Sequence, residues 1–311
     1  MNGREEQRHS VIANPLGVAV FLAIAFGASW LWLAVAIVWC GWSVINPVVQ
    51  LPMAFAPAVA AVVVRRWVTG EGFADAGLAP RWRASWRTYL LAWWGPLLLV
   101  AASVGVAAAM GLWRPDSAAS EPDSWPPLAV TVPALLVVVV VLTPVYWGEE
   151  FGWTGYLRLR LFPDRPLASV TATGLVWALW HYPLALLGYI HFGNIVAGLA
   201  IWTLSFLFQE VILAWLYLRA RTIWAASLAH AGNNMVLSLL VGLLLAEQLG
   251  DTMVTVVMAV PLGVVAAWIV ATGRLRPGGL PRRRRGPAED DPFGGPDLRR
   301  PVTVRGTAAA G

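Results

Sequence analysis

Runs of apolar residues long enough to cross a bilayer recur along almost the whole 311-residue chain, and nothing else in the sequence constrains the fold as much. About 20 apolar helical residues span a hydrocarbon core, where only helices or closed barrels satisfy every backbone N–H and C=O. Barrel strands alternate apolar and polar residues, and these runs do not. The expected class is all-α: a polytopic membrane bundle of about eight transmembrane helices. They are read at roughly 15–40, 47–68, 87–112, 127–158, 167–190, 194–218, 222–246 and 252–273. Composition agrees, with 58% hydrophobic and 13% charged residues, where soluble domains carry about a quarter charged. The first run follows Arg4 and Arg8, is too long for a signal-peptide core and lacks a clear cleavage site, so it is expected to be a retained helix.

All 22 basic residues are Arg, and the net charge is +5. With eight spans, 21 of the 22 arginines fall on one side, leaving Arg114 on the other beside Asp116, Glu121 and Asp123. The positive-inside rule makes the rich side cytoplasmic, so a multi-pass cell-membrane protein with both termini in the cytoplasm is predicted. The chain then divides into a cytoplasmic tail at 1–14, a transmembrane domain at 15–273 and a basic tail at 274–311. The last is rich in Pro, Gly and Arg, too poor in apolar residues to fold alone, and is expected to be disordered. Its Arg282–Arg285 run suits anionic headgroups, so the lipid bilayer rather than nucleic acid is the expected partner. The single cysteine, Cys40, excludes an intrachain disulfide and a cysteine-based zinc cluster.

Ionisable residues at bilayer depth are costly and therefore functional candidates. They are Glu149, Glu150, His181, Glu210 and His230, with Gln209 and Asn234 as uncharged companions. At 1.5 Å per residue, Glu149, His181 and His230 lie about 16, 21 and 12 Å from the arginine-rich end of their helices, a similar depth. Adjacent Glu149 and Glu150 project about 100° apart, so only one can point squarely at a given centre. Trp177 and His181, and His230 and Asn234, are spaced i,i+4 and share helix faces. Gly148, Gly152, Gly155 and Gly232 allow close helix approach. Two imidazoles, a carboxylate and a carboxamide at one depth form either a metal site, with His181 and His230 as ligands of an ion such as Zn²⁺, or a metal-free site for water activation. Gln209 and Glu210 are read as interhelical hydrogen-bonding groups.

In order, Glu149-Glu150 with Trp153-Thr154-Gly155, Trp177 with His181, and His230 with Asn234 resemble the three motifs of the CPBP intramembrane metalloproteases. That family includes CAAX prenyl proteases and bacterial Abi-type proteins linked to bacteriocin processing or immunity. The resemblant core covers about residues 130–246. It implies an endopeptidase acting on a membrane-associated peptide or protein. Glu149 would be the water-activating base, and His181 would help hold the water or a metal. His230 and Asn234 would stabilise the oxyanion or join in metal binding, and Glu150 would support Glu149. The family's arginine four residues after the second glutamate is replaced by Thr154, leaving Arg158, one turn further on, to reach back. Two other classes accommodate the same residues: a proton- or cation-coupled transporter, for which internal repeats are not found, and a non-catalytic immunity or chaperone-like membrane protein.

Overall fold

The computed structural model describes residues 12–114 and 126–276. The expectations for most of both tails, including Arg282–Arg285, and for the loop with Asp116, Glu121 and Asp123 lie outside the described residues. Helices start where the sequence supplies caps. Asn14, Asn46, Asn194 and Thr222 each accept a backbone N–H of the first turn, and Pro15, Pro47 and Pro166 occupy first helical positions. In chain order the helices are α1 (Pro15–Leu33), α2 (Pro47–Val63), α3 (Trp82–Ala109), α4 (Leu128–Gly152), α5 (Pro166–Leu186), α6 (Ile195–Ala220), α7 (Ile223–Gly232) and α8 (Leu239–Ala271). Wider π-helical turns extend α1, α2, α4 and α7, at Ala34–Trp39, Val64–Val68, Trp153–Leu157 and Asn233–Ser238. The last two directly follow the motif glutamates and His230, the kind of position where π-bulges concentrate.

The all-α polytopic class holds: among the described residues there is no strand, only an isolated bridge between Ile12 and Leu161. Six helical stretches are long and apolar enough to cross a membrane. Pro166–Leu186 is not among them, because Ser169, Thr171, Thr173 and His181 dilute its apolar residues. The stretch Ile223–Ala271 counts once, at 49 residues, but leaves helical geometry at Gly250 (φ 66°, ψ 161°). Two expected spans thus correspond to one run with an internal break. Just beyond it, Asp251 accepts the backbone N–H of His191 at 2.8 Å and Thr252 that of Gly193 at 3.2 Å, tying the α5–α6 loop to α8.

Helix α4 packs between α2 and α7, and α7 also touches α3 and α6. Small residues make this possible, as helices in hydrocarbon associate through close packing. A Cβ on Gly152 would lie 2.4 Å from Pro57 Cβ, one on Gly148 2.7 Å from the Ala54 carbonyl oxygen, and one on Gly232 2.5 Å from Pro96 Cγ.

A strap at 69–81 closes the arginine-rich end beneath α4. Arg65, fully buried at the end of α2, donates to Gly72 O and Asp75 Oδ1 at 2.7 Å and to Gly155 O at 2.6 Å. Arg160 reaches Glu71 at 2.6 Å and Asp75 at 3.3 Å. The Tyr156 ring lies against both guanidiniums, at 5.5 Å and 4.3 Å. The strap also accepts hydrogen bonds from Ile223 N, through Gly77 O, and from the Trp224 indole, through Leu78 O. Bonded to α2, α4 and α7 together, it fixes their relative positions.

Two outcomes follow from this packing. Gly152→Leu should destabilise the protein by about 1–3 kcal/mol, the usual cost of overpacking, measured as a lower thermal midpoint in detergent; Gly27→Ala, where no atom lies within 4 Å, should not. Burial works to raise the Asp75 carboxyl, but the Arg65 hydrogen bond and the Arg65 and Arg160 charges hold it below its ordinary 3.8. Its contribution is therefore present above about pH 3.8 and lost as pH falls through the lower folded value. Acidification in that window should increase hydrogen exchange in 69–81, and Asp75→Asn should produce the same increase at neutral pH.

Candidate active site

The ionisable residues read from the sequence come together where α4, α5, α6 and α7 meet. Glu149 and Glu150 end α4, buried to 6% and 1% exposure, and diverge as their adjacent positions require. Glu149 Oε2 accepts the Trp177 indole N–H from α5 at 2.9 Å. Glu150 turns to α7: its Oε1 accepts from His230 Nδ1 at 3.0 Å, and its Oε2 accepts from Thr154 Oγ1 at 2.7 Å. A hydroxyl at Thr154 thus donates to Glu150 without adding charge.

Both imidazoles have one nitrogen committed. His181 Nδ1 donates to the Trp177 carbonyl at 2.9 Å, and since a carbonyl only accepts, Nε2 is left as the acceptor. His230 Nδ1 donates to Glu150, leaving its Nε2 equally free. Trp177 links the two halves: its ring meets His181 edge-on at 5.7 Å and His230 at 4.9 Å. Glu149, Glu150 and His230 are buried, whereas His181 and Asn234 are half-buried and form the accessible rim.

Arg158 does not reach back to Glu150. It pairs with Glu210 of α6 at 3.1 Å, because the extra turn carries its side chain past Glu150 toward α6. Gln209 and Glu210 are interhelical partners as expected, Gln209 accepting from Asn233 Nδ2 at 3.3 Å. Tyr146 joins the site without being among the residues read from the sequence. Its ring lies 4.8 Å from His230. Its position three residues before Glu149, on the same helix face, was the available signal.

Among the described residues no three His, Cys, Asp or Glu side chains are grouped to hold one metal ion. Trp177 contacts both imidazoles, and Glu150 has each oxygen hydrogen-bonded within the bundle. In this arrangement the donor set does not fit a resident Zn²⁺. On the far side of α4 and α7 lies a cavity of about 520 Å³ lined by Trp82, Trp86, Trp93, Trp224, Val140 and Pro144, among others. The polar atoms of several lining residues are satisfied internally: Trp93 on Leu136 O, Trp224 on Leu78 O, and Tyr89 on Pro80 O.

Carboxylates and imidazoles enclosed within a polytopic α-bundle define a membrane protein with the equipment for proton-transfer chemistry. Residues 129–236 of the 311 match the model of the Rce1-like family, type II CAAX prenyl endopeptidase Rce1-like. This agrees with the CAAX protease-like resemblance of the motifs and supports an intramembrane endopeptidase; every residue of the cluster falls inside the match. No curated protein matches the chain.

Thr154→Val should leave Glu150 Oε2 buried without its donor and cost about 1–3 kcal/mol. Thr154→Ser, which keeps the hydroxyl, should recover most of that loss in the same unfolding measurement.

Proposed function

We propose that the protein hydrolyses a peptide bond in a membrane-associated peptide or protein, with Glu149 as general base for the attacking water. The contrast between the neighbouring carboxylates carries this assignment. Glu150 is engaged by Thr154 and His230, whereas Glu149 is held through one oxygen by a neutral indole and forms no ion pair among the described residues. A carboxylate held by one neutral donor retains lone pairs with which to take a proton from water.

Water reaching Glu149 passes the half-buried rim of His181, Tyr146 and Asn234, where His181 Nε2 accepts one of its protons in a hydrogen bond. Glu149 takes the other proton as the oxygen attacks the carbonyl carbon, and later passes it to the leaving amine. The Asn234 carboxamide and Tyr146 hydroxyl at this rim are neutral donors suited to stabilise the developing oxyanion. Glu150 holds the His230 ring. No step is routed through a metal. The arginine asymmetry supports an orientation with both termini in the cytoplasm.

Glu149→Gln preserves shape and removes the base. Membranes with wild-type protein should yield peptide fragments that the variant fails to produce, a rate loss of about 100-fold or more, with unchanged thermal midpoint. Identical fragment sets from the two membranes would overturn the assignment.

A further inference from the structure

The hydrolytic scheme leaves unused the apolar slot of about 520 Å³ that α4 and α7 form with α3. Its α3 wall is a single stripe, Trp82, Trp86, Leu90 and Trp93 recurring at helical spacing. At 1.5 Å per residue the stripe runs about 16 Å, close to half of a hydrocarbon core about 30 Å thick. The slot therefore follows α3 from its arginine-rich end through the depth of about one leaflet. Trp82, Trp86, Leu90 and Val140 are exposed on the outside of the bundle, so the slot opens sideways, where lipid lies.

The walls offer an occupant little to hydrogen-bond. The N–H or O–H groups of Trp93, Trp224, Tyr89 and Thr143 are spent on the carbonyls of Leu136, Leu78, Pro80 and Val139. An extended peptide would leave its amides without partners against them, whereas a hydrocarbon chain has none to satisfy. The arginine-rich end has the opposite character. Arg83 and Arg87, one turn apart on α3, are exposed and pair with no carboxylate among the described residues. Helix α3 contains no acidic residue. Geometry ties Arg87 to the slot, because its guanidinium lies 5.2 Å from the ring of Trp86, a lining residue. Like charges spaced i,i+4 repel, and an anion shared between them relieves the repulsion. Phosphate oxygens match guanidinium donors well. A zwitterionic headgroup would bring its own ammonium to the same arginines, so a net negative headgroup suits them better.

We propose that this slot binds one anionic phospholipid, an acyl chain lying along α3 and the phosphate held by Arg83 and Arg87. The site shares no residue with the carboxylate–imidazole cluster, and its occupancy does not depend on the role of Glu149.

Native mass spectrometry of the full-length protein, titrated in detergent with dioleoyl phosphatidylglycerol or dioleoyl phosphatidylcholine, counts the lipids retained. The wild type should retain one phosphatidylglycerol saturably, roughly 10-fold more tightly than phosphatidylcholine. Replacing both arginines, Arg83→Gln with Arg87→Gln, should bring the two lipids to equal affinity. Val140→Trp should narrow the slot and weaken retention of both. Arg66→Gln, which removes an exposed arginine at the end of α2 that does not line the slot, should change neither. All these positions are exposed, so the lipid-free thermal midpoint should stay at the wild-type value. Equal affinity of the wild type for the two lipids overturns the site, as does retention undiminished by Val140→Trp. A loss from Arg66→Gln as large as that from the double variant also overturns it, since the basic surface as a whole would then attract the lipid. A dimer that retains no lipid assigns the slot to a second copy of the chain and overturns it as well.

Discussion

The hydrogen bond from His230 to Glu150 is the contact on which the interior depends. A carboxylate at membrane depth has no water to turn to and must find its donors within the bundle. Glu150 finds one on its own helix, Thr154, and one on α7, so satisfying a single side chain sets the rotation of α4 and its distance from α7. Glycines then bring the backbones near enough for these bonds to form: Gly148 and Gly152 against α2, and Gly232 against α3. Polar satisfaction and steric fit both act on α4 and α7, and neither is sufficient alone.

The two neighbouring glutamates show how one helix generates two chemical environments. A rotation of about 100° sends Glu149 to an indole and Glu150 to an imidazole. Trp177 is central to both, because its N–H meets Glu149, its carbonyl fixes the His181 tautomer, and its ring contacts His230. It lies between the two imidazoles, in ring contact with each.

Much of this was legible in the sequence because hydrocarbon makes ionisable residues conspicuous. Glu149, Glu150, His181 and His230 stand out against apolar runs, and the helix caps are local Asn-Pro or Thr signals. Helix ends were less legible. Helix α3 begins at Trp82 rather than near 87, since Arg83 and Arg87 lower the hydropathy of a turn that is helical nonetheless. Helix α5 ends at Leu186 instead of near 190, as Gly188 adopts a φ of 91°. Partner choice was not legible at all. Whether Arg158 meets Glu150 or Glu210 depends on where α6 lies, and one Trp or Tyr gives little signal in a chain with 19 Trp and 6 Tyr. The donor role of Trp177 therefore emerges only in three dimensions, and Tyr146 is marked in the sequence by its spacing from Glu149 alone.

The departure from helix at Gly250 has a mechanical side. Directly after it, the side chains of Asp251 and Thr252 grip the amides of His191 and Gly193, in the segment that leaves the helix bearing His181. The second half of α8 and the connection from α5 to α6 are thereby yoked on that face. Any displacement of the helix beyond Gly250 is therefore passed to the exit of α5 through these two bonds.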